Sequence, residues 1–267
     1  MNKKILLPFA FSTLAVLMHG CGGESAKINE DPTKGVTVTK NASCDVTADD
    51  CLQFALDYPV AGLNFDCSSD KINHFATKLD GNVVTGACKL GDEVSFYIQG
   101  ESKARKVSLG TVKLDNISKI KLATPPRIRL IDIATALTGK PAASLNQNDE
   151  TVRATMALVK ILQGIGLESG DNVIGDIQPT ELTIEKKDKL AEISKDIGAS
   201  EILSGQYVEV LKPWIDVTQI SNDQAFLMVT QLLNLTNTGV WQADLPIFKA
   251  GSTTASSTTT DAVRPDG

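Results

Sequence analysis

Histidine is nearly absent: there are two in 267 residues, His19 and His74. His19 lies in a leader expected to be removed, so His74 would stand alone in the mature chain. A His-built zinc site or a Cys/His couple then lacks its ligands, and His74 is read as a residue of a polar surface loop. Aromatic residues make up only 5% of the chain, yet 42% hydrophobic residues overall are enough to bury a core. Basic charge is short as well, with 26 Lys+Arg against 32 Asp+Glu and a formal net charge of −6. Losing Lys3 and Lys4 with the leader takes that to about −8, and an acidic surface repels nucleic acid and anionic lipid, so neither is expected as a partner. The chain also lacks a G-x-S-x-G elbow and a P-loop. Gly164-Ile165-Gly166-Leu167-Glu168-Ser169-Gly170 has the glycines of a dinucleotide loop. It follows a helical pattern instead of joining a strand to a helix, so it is read as a helix exit. No catalytic residue and no cofactor are expected.

The apolar run Ile5 to Met18 is too short to span a bilayer comfortably, follows a basic start at Lys3 and Lys4, and ends in Leu17-Met18-His19-Gly20-Cys21. This pattern resembles the bacterial lipobox. The resemblance implies that residues 1–20 are a cleaved signal peptide and that Cys21 carries a diacylglycerol and an N-acyl chain. Those chains anchor the protein at about 0.8 kcal/mol per buried methylene. Gly22 in place of an aspartate implies sorting to the outer membrane, with the folded part facing the periplasm or the surface. Residues 21–40 are polar, with Pro32 and Gly35, and read as a flexible tether.

With Cys21 assigned to lipid, four of the five cysteines remain: Cys44, Cys51, Cys67 and Cys88. An even number in an oxidising compartment reads as disulfides, and three pairings are open. Cys44 and Cys51 flank one short polar turn. Cys67 and Cys88 each end a strand pattern on either side of Asp80-Gly81-Asn82, which would set them side by side in one sheet. The spacing therefore favours Cys44–Cys51 and Cys67–Cys88. Across 41–117 the apolar residues alternate or come in short runs, as in Val94, Phe96 and Ile98, which predicts a small disulfide-stapled antiparallel β domain.

The period then changes, and 124–250 reads as an all-α domain, so the expected fold class is α+β. Leu130, Ile131, Ala134 and Leu137 form one stripe stopped at Gly139. Val152, Met156, Val159 and Leu162 form a second, entered at Asn148 or Asp149 and left at Gly164 and Gly166. Leu190, Ile193 and Ile197 form a third, ended by Gly198. Ser221-x-x-Gln224 is the capping box of a fourth, with Phe226, Val229, Leu232 and Leu233 on its apolar side. Trp214 and Trp241 sit among apolar neighbours and read as packing residues. Residues 251–267 are a Ser/Thr-rich linker or tail.

The order Ala61-Gly62-Leu63-x-Phe65-x-Cys67, then Gly86-x-Cys88-x-x-Gly91-Asp92-x-Val94-x-Phe96-x-Ile98, then Leu109-Gly110 resembles a β module of bacterial cell-envelope lipoproteins and adhesin-like proteins. Over 36–241 the chain most resembles the pilus-assembly lipoproteins of Gram-negative bacteria. The resemblance implies a non-enzymatic assembly, adhesion or surface-presentation component whose partners are proteins of a surface or pilus system. An envelope glycan-directed hydrolase and a small-ligand receptor are the alternatives. Glu168, Asp171, Asn172 and Asp176 place oxygen ligands of the calcium-binding kind at short spacing. They fall short of a full ligand count, so the loop is read as a solvated turn and no metal is expected.

Overall fold

The computed structural model describes residues 40–238 apart from 82, 119–124, 169 and 171. Cys21, Asp171, Trp241 and the tail at 251–267 lie outside the described residues, as does the tether up to residue 39.

The fold is α+β, with strands first and helices after. β1 (Cys51–Leu56) turns inward along its length, its last three residues Phe54, Ala55 and Leu56 being buried. It lies antiparallel to β6 (Val83–Lys89), which pairs in turn with the edge strand β5 (Lys78–Asp80) across Gly81. A second sheet is antiparallel throughout and runs β4 (Phe75–Ala76), β3 (Asn64–Cys67), β7 (Glu93–Gln99), β8 (Lys106–Lys113). Phe54 from the first sheet meets Phe65 and Phe96 from the second edge-on, with ring centroids 5.4 and 5.9 Å apart. The two sheets thus share an aromatic core.

Both expected disulfides are present, Cys44–Cys51 and Cys67–Cys88, each with a Cα–Cα distance of 5.7 Å. The placement of the second differs from expectation. Cys67 pairs with Val94 in one sheet and Cys88 with Leu52 in the other, so the bond ties two sheets together instead of two neighbours in one. Gly91 takes a positive φ, +89°. Its turn carries the chain from β6 in the first sheet to β7 in the second and closes no hairpin.

A short helix α1 (Leu114–Ser118) follows β8, then come α2 (Leu130–Thr138), α3 (Glu150–Glu168), α4 (Ile184–Asp188), α5 (Ala199–Ser204), α6 (Tyr207–Leu211) and α7 (Asn222–Thr238). Asp149 caps α3, its Oδ1 accepting from the backbone N–H groups of Thr151 and Val152. The Ser221 and Gln224 side chains accept from each other's backbone N–H groups at the start of α7. Along that helix Ala225, Met228, Val229, Leu232 and Leu235 are buried, while Phe226 and Leu233 pack at the margin of the core.

Three expectations for this half are corrected. First, it is not all-α. β9 (Arg127–Ile128) pairs parallel with β1, and β10 (Thr180–Glu181) pairs parallel with β2 (Val60–Ala61). The segments 41–117 and 124–250 accordingly share one core running from Phe54 to Leu235 and do not enclose separate ones. Second, α3 passes through Gly164 and Gly166 to Glu168. A Cβ at Gly166 would lie 2.5 Å from the Asn172 amide nitrogen, so this glycine admits a close approach and marks no exit. Third, Leu190, Ile193 and Ile197 do not form a helix. A 3-10 turn covers 189–192, Ile193 is extended, and Ile197 bridges to Val107 of β8. Gly198 precedes α5 instead of ending a helix.

Candidate functional site

The scarcest side chain sits at a defined place. His74 follows the turn between β3 and β4, and its Nδ1 lies 2.7 Å from Asp66 Oδ1. The Tyr97 hydroxyl donates to the same carboxylate oxygen at 3.0 Å. Asp66 and Tyr97 stand on neighbouring strands, where the register pairs Asn64 with Tyr97 and Asp66 with Ser95. Lys106 Nζ rests 3.9 Å from the centroid of the Tyr97 ring. Burial, with the charge of Asp66 beside it, pushes the Tyr97 hydroxyl far above the usual phenol range. The cluster faces a cleft of about 300 Å³ that also contains Asp70, Lys71 and Glu93. His74 therefore lies on a polar loop, as expected, and is held there by a carboxylate.

The His74 imidazole is tied to Asp66 through Nδ1. Its neighbours are otherwise engaged. Ser68 Oγ donates to Asp92 and accepts from the Glu93 backbone N–H, while Ser95 Oγ is bonded to Thr111. Asp70 takes the backbone N–H groups of Ile72 and Asn73, which hold its carboxyl below the usual range against the opposing effect of partial burial. Glu93 pairs with Lys113 at 3.2 Å. Among the described residues, the two serines lining the cleft, Ser68 and Ser95, thus bond to groups other than His74.

A larger groove, about 690 Å³, opens on another side. It lies between β10, the β2 end at Ala61-Gly62 and the run Ala76–Leu79 that leads into the edge strand β5, with Lys40 and Asn41 at its border. Its lining side chains are small or aliphatic apart from Lys40, Lys78 and Glu181 and the polar Asn41, Thr77 and Thr180. Leu79 is exposed at its rim. This groove begins where the described chain begins, beside the end of the tether.

The residues singled out from sequence are dispersed. The disulfide Cys67–Cys88 is buried, and Asp92 lies close to both sulfurs. Asp92 accepts from Ser68 Oγ, Ser69 N, Ser69 Oγ and Lys89 N, all within 3.0 Å, so it is a brace for the β6–β7 turn. Glu168 is exposed. Asn172 and Asp176 are buried, which corrects the reading of their loop as a solvated turn. Trp214 is buried with its indole N–H donated to the Lys186 carbonyl at 2.8 Å, as a packing residue requires.

Sequence reasoning missed Asp57. It is buried at the end of β1, where both carboxylate oxygens accept the Leu130 N–H at 3.1 and 3.2 Å at the first turn of α2. Desolvation, with Asp132 nearby, raises its pKa from 3.8 to about 7, against the opposing effects of Leu130 N–H and Arg129. A folded-state pKa above the unfolded one means that the native state binds the extra proton. The resulting stability is fully present below about pH 4 and is lost as pH rises through 7. The unfolding free energy of the wild type, measured by urea titration, should therefore fall relative to that of Asp57→Asn between pH 4 and 7.5, by an amount on the order of a few kcal/mol. Parallel pH profiles for the two proteins would refute this.

No family model matches the chain, and no curated protein or solved structure matches it either.

Proposed function

We propose that the protein is an outer-membrane lipoprotein, anchored through lipid on Cys21, that acts as a non-enzymatic assembly, adhesion or surface-presentation component, in keeping with the resemblance to pilus-assembly lipoproteins. The observation that carries the reading is the 690 Å³ groove. It is bounded by the short strand β10 and the edge strand β5, and it opens beside Lys40, where the tether enters the folded body. Short strand edges offer backbone N–H and C=O groups to an extended partner segment, with side-chain pockets giving selectivity. The two disulfides support export to an oxidising compartment.

A glycan hydrolase needs two carboxylates flanking the scissile bond. Among the described residues, Glu181 is the one acidic residue lining the groove. In the His74 cleft Asp66, Asp70 and Glu93 each already hold hydrogen-bond or ion-pair partners. Both observations favour the binding reading over the hydrolase.

Two measurements test the proposal. Cys21→Ser should move the protein from the membrane to the soluble periplasmic fraction, and unchanged fractionation of that variant would refute the anchor. A photo-crosslinking residue at Leu79 should join the protein in cells to a subunit of a surface structure, while the same residue at Leu145, exposed and outside the groove, should not. Equal products from both positions would refute the groove as the contact.

A further inference from the structure

Beneath the loop that links α3 to β10, several buried polar atoms lack a hydrogen-bond partner. They are Gln163 Oε1, Asn172 Oδ1, Asp176 Oδ1, the Tyr58 hydroxyl and Gln178 Nε2. The loop's own bonds gather them. The Val173 carbonyl accepts both the Gln163 amide Nε2, at 3.3 Å, and the Asp176 backbone N–H, at 3.0 Å. Asn172 donates its backbone N–H to the Gly166 carbonyl and its Nδ2 to Thr180 Oγ1, so its amide lies against the same stretch of α3, one turn beyond Gln163. The Thr180 backbone N–H donates to the Pro59 carbonyl, next to Tyr58, and the charge of Asp176 reaches the Tyr58 ring.

The side chains of Tyr58 and Gln163 are fully buried, and those of Asn172 and Asp176 are 8% and 9% exposed. Leaving one such atom unpaired costs about 1–3 kcal/mol, so a group of them implies something that satisfies them. A trapped water satisfies neutral dipoles. Asp176 adds a carboxylate oxygen that, unlike those of Asp57 and Asp92, takes no N–H or O–H donor, and a buried carboxylate without donors is ordinarily paired with a cation or bound to a metal. Among the described residues it has no ion-pair partner. Three orphaned oxygens, one of them from a carboxylate, suit a hard cation that keeps water in its remaining positions.

We propose that this loop binds one calcium-class cation through the side-chain oxygens of Asp176, Asn172 and Gln163, with Tyr58 beside it. With a single carboxylate among these three, affinity falls in the weak extracellular range, about 10⁻⁴–10⁻³ M. Gly166 is part of the design, since a Cβ there would displace the Asn172 amide.

The test uses the mature lipidated chain in detergent after chelator treatment. Calcium at about ten to a hundred times that dissociation constant should raise the thermal midpoint saturably, by roughly 5 °C. Terbium should bind in competition with calcium and luminesce on ultraviolet excitation through Tyr58. Tyr58→Phe should dim the luminescence yet keep the calcium-dependent thermal shift. Asp176→Asn should abolish both, and Asn172→Asp, which adds a carboxylate, should tighten calcium binding about tenfold or more. Should Asp176→Asn fail to fold, the gain in Asn172→Asp and the Tyr58→Phe split still decide. The proposal is overturned by any of three results: no saturable calcium response in the wild type, equal responses in all variants, or a response reproduced by sodium at matched ionic strength.

Discussion

A fragment spanning 124–250 is expected to show no cooperative thermal transition and far less helical circular dichroism than its share of the full chain. The helices in it carry apolar stripes, which would suggest independence if their faces met only one another. They do not. The backbone N–H of Ala55 donates to the Pro126 carbonyl and that of Asp57 to the Ile128 carbonyl, so the entry to α2 is a strand of the first sheet. The Leu182 N–H donates to the Ala61 carbonyl, and a Cβ at Gly62 would lie 2.4 Å from the Leu182 oxygen, an approach that leaves room for glycine only. The Ile197 N–H donates to the Lys106 carbonyl, and its own carbonyl accepts from Ser108, fastening the loop before α5 along β8. On α2, Ile133 packs directly on Gly110 of β8. Fourteen of the nineteen residues of α3 are buried, an all-round burial that needs neighbours on every side. Removing the sheets strips the core of Phe54, Phe65 and Phe96 and leaves strands β9 and β10 without partners. Short helices without tertiary packing are marginal in water. A sigmoidal melt of the fragment near the midpoint of the full chain would show that the shared core is dispensable.

The parts of this fold that were legible in sequence are those written in neighbouring residues. The Ser221/Gln224 capping box, the Asp149 cap, the stop at Gly139 and the alternation through Val94, Phe96 and Ile98 are local devices, and each appears where its spacing places it. What was not legible depends on a distant partner. β9 and β10 are two residues each and become strands because β1 and β2 present open edges to them. Leu190, Ile193 and Ile197 have helical spacing, yet the Arg105 guanidinium claims the Ile193 and Ser194 carbonyls, and β8 claims Ile197. Three long-range pairings outweigh the few tenths of a kcal/mol per residue that helix propensity offers. The His74 cluster was hidden for the same reason: Asp66 and Tyr97 approach only through the β3–β7 register. The orphaned oxygens under the α3–β10 loop were half visible, since Asn172 and Asp176 stood out as oxygen ligands. Gln163 and Tyr58 come from a helix and a strand end that no local pattern connects to them.

Replacing Cys67 and Cys88 together by serine is expected to destabilise the protein far more than replacing Cys44 and Cys51. The separations are 21 and 7 residues, and by chain entropy alone the bonds contribute about 3 and about 2.5 kcal/mol, a difference too small to decide much. Position decides. Cys44 and Cys51 are half-buried and close a turn at the edge of the first sheet, so serines there can reach water. Cys67 and Cys88 are 1% and 0% exposed and join the two sheets beside the Phe65 core. Serines at those positions would bury two hydroxyls, each costing about 1–3 kcal/mol unless it finds a partner, on top of the lost cross-link. Asp92 cannot readily supply one, because its oxygens already take four donors in bracing the turn. The expected loss is about 5 kcal/mol or more for the buried pair, a loss that reaches the lower end of the whole stability of an ordinary domain, against about 2–3 kcal/mol for the outer one. Urea denaturation of the two double variants, with intact thiol chemistry at the other pair, measures both. Mild reductant should open Cys44–Cys51 first, since a thiolate reaches the half-exposed sulfurs without unfolding while the buried bond waits for global opening. Equal midpoints for the two variants, or earlier reduction of Cys67–Cys88, would mean that the sheets hold together without their cross-link and that the shared aromatic core alone sets their packing.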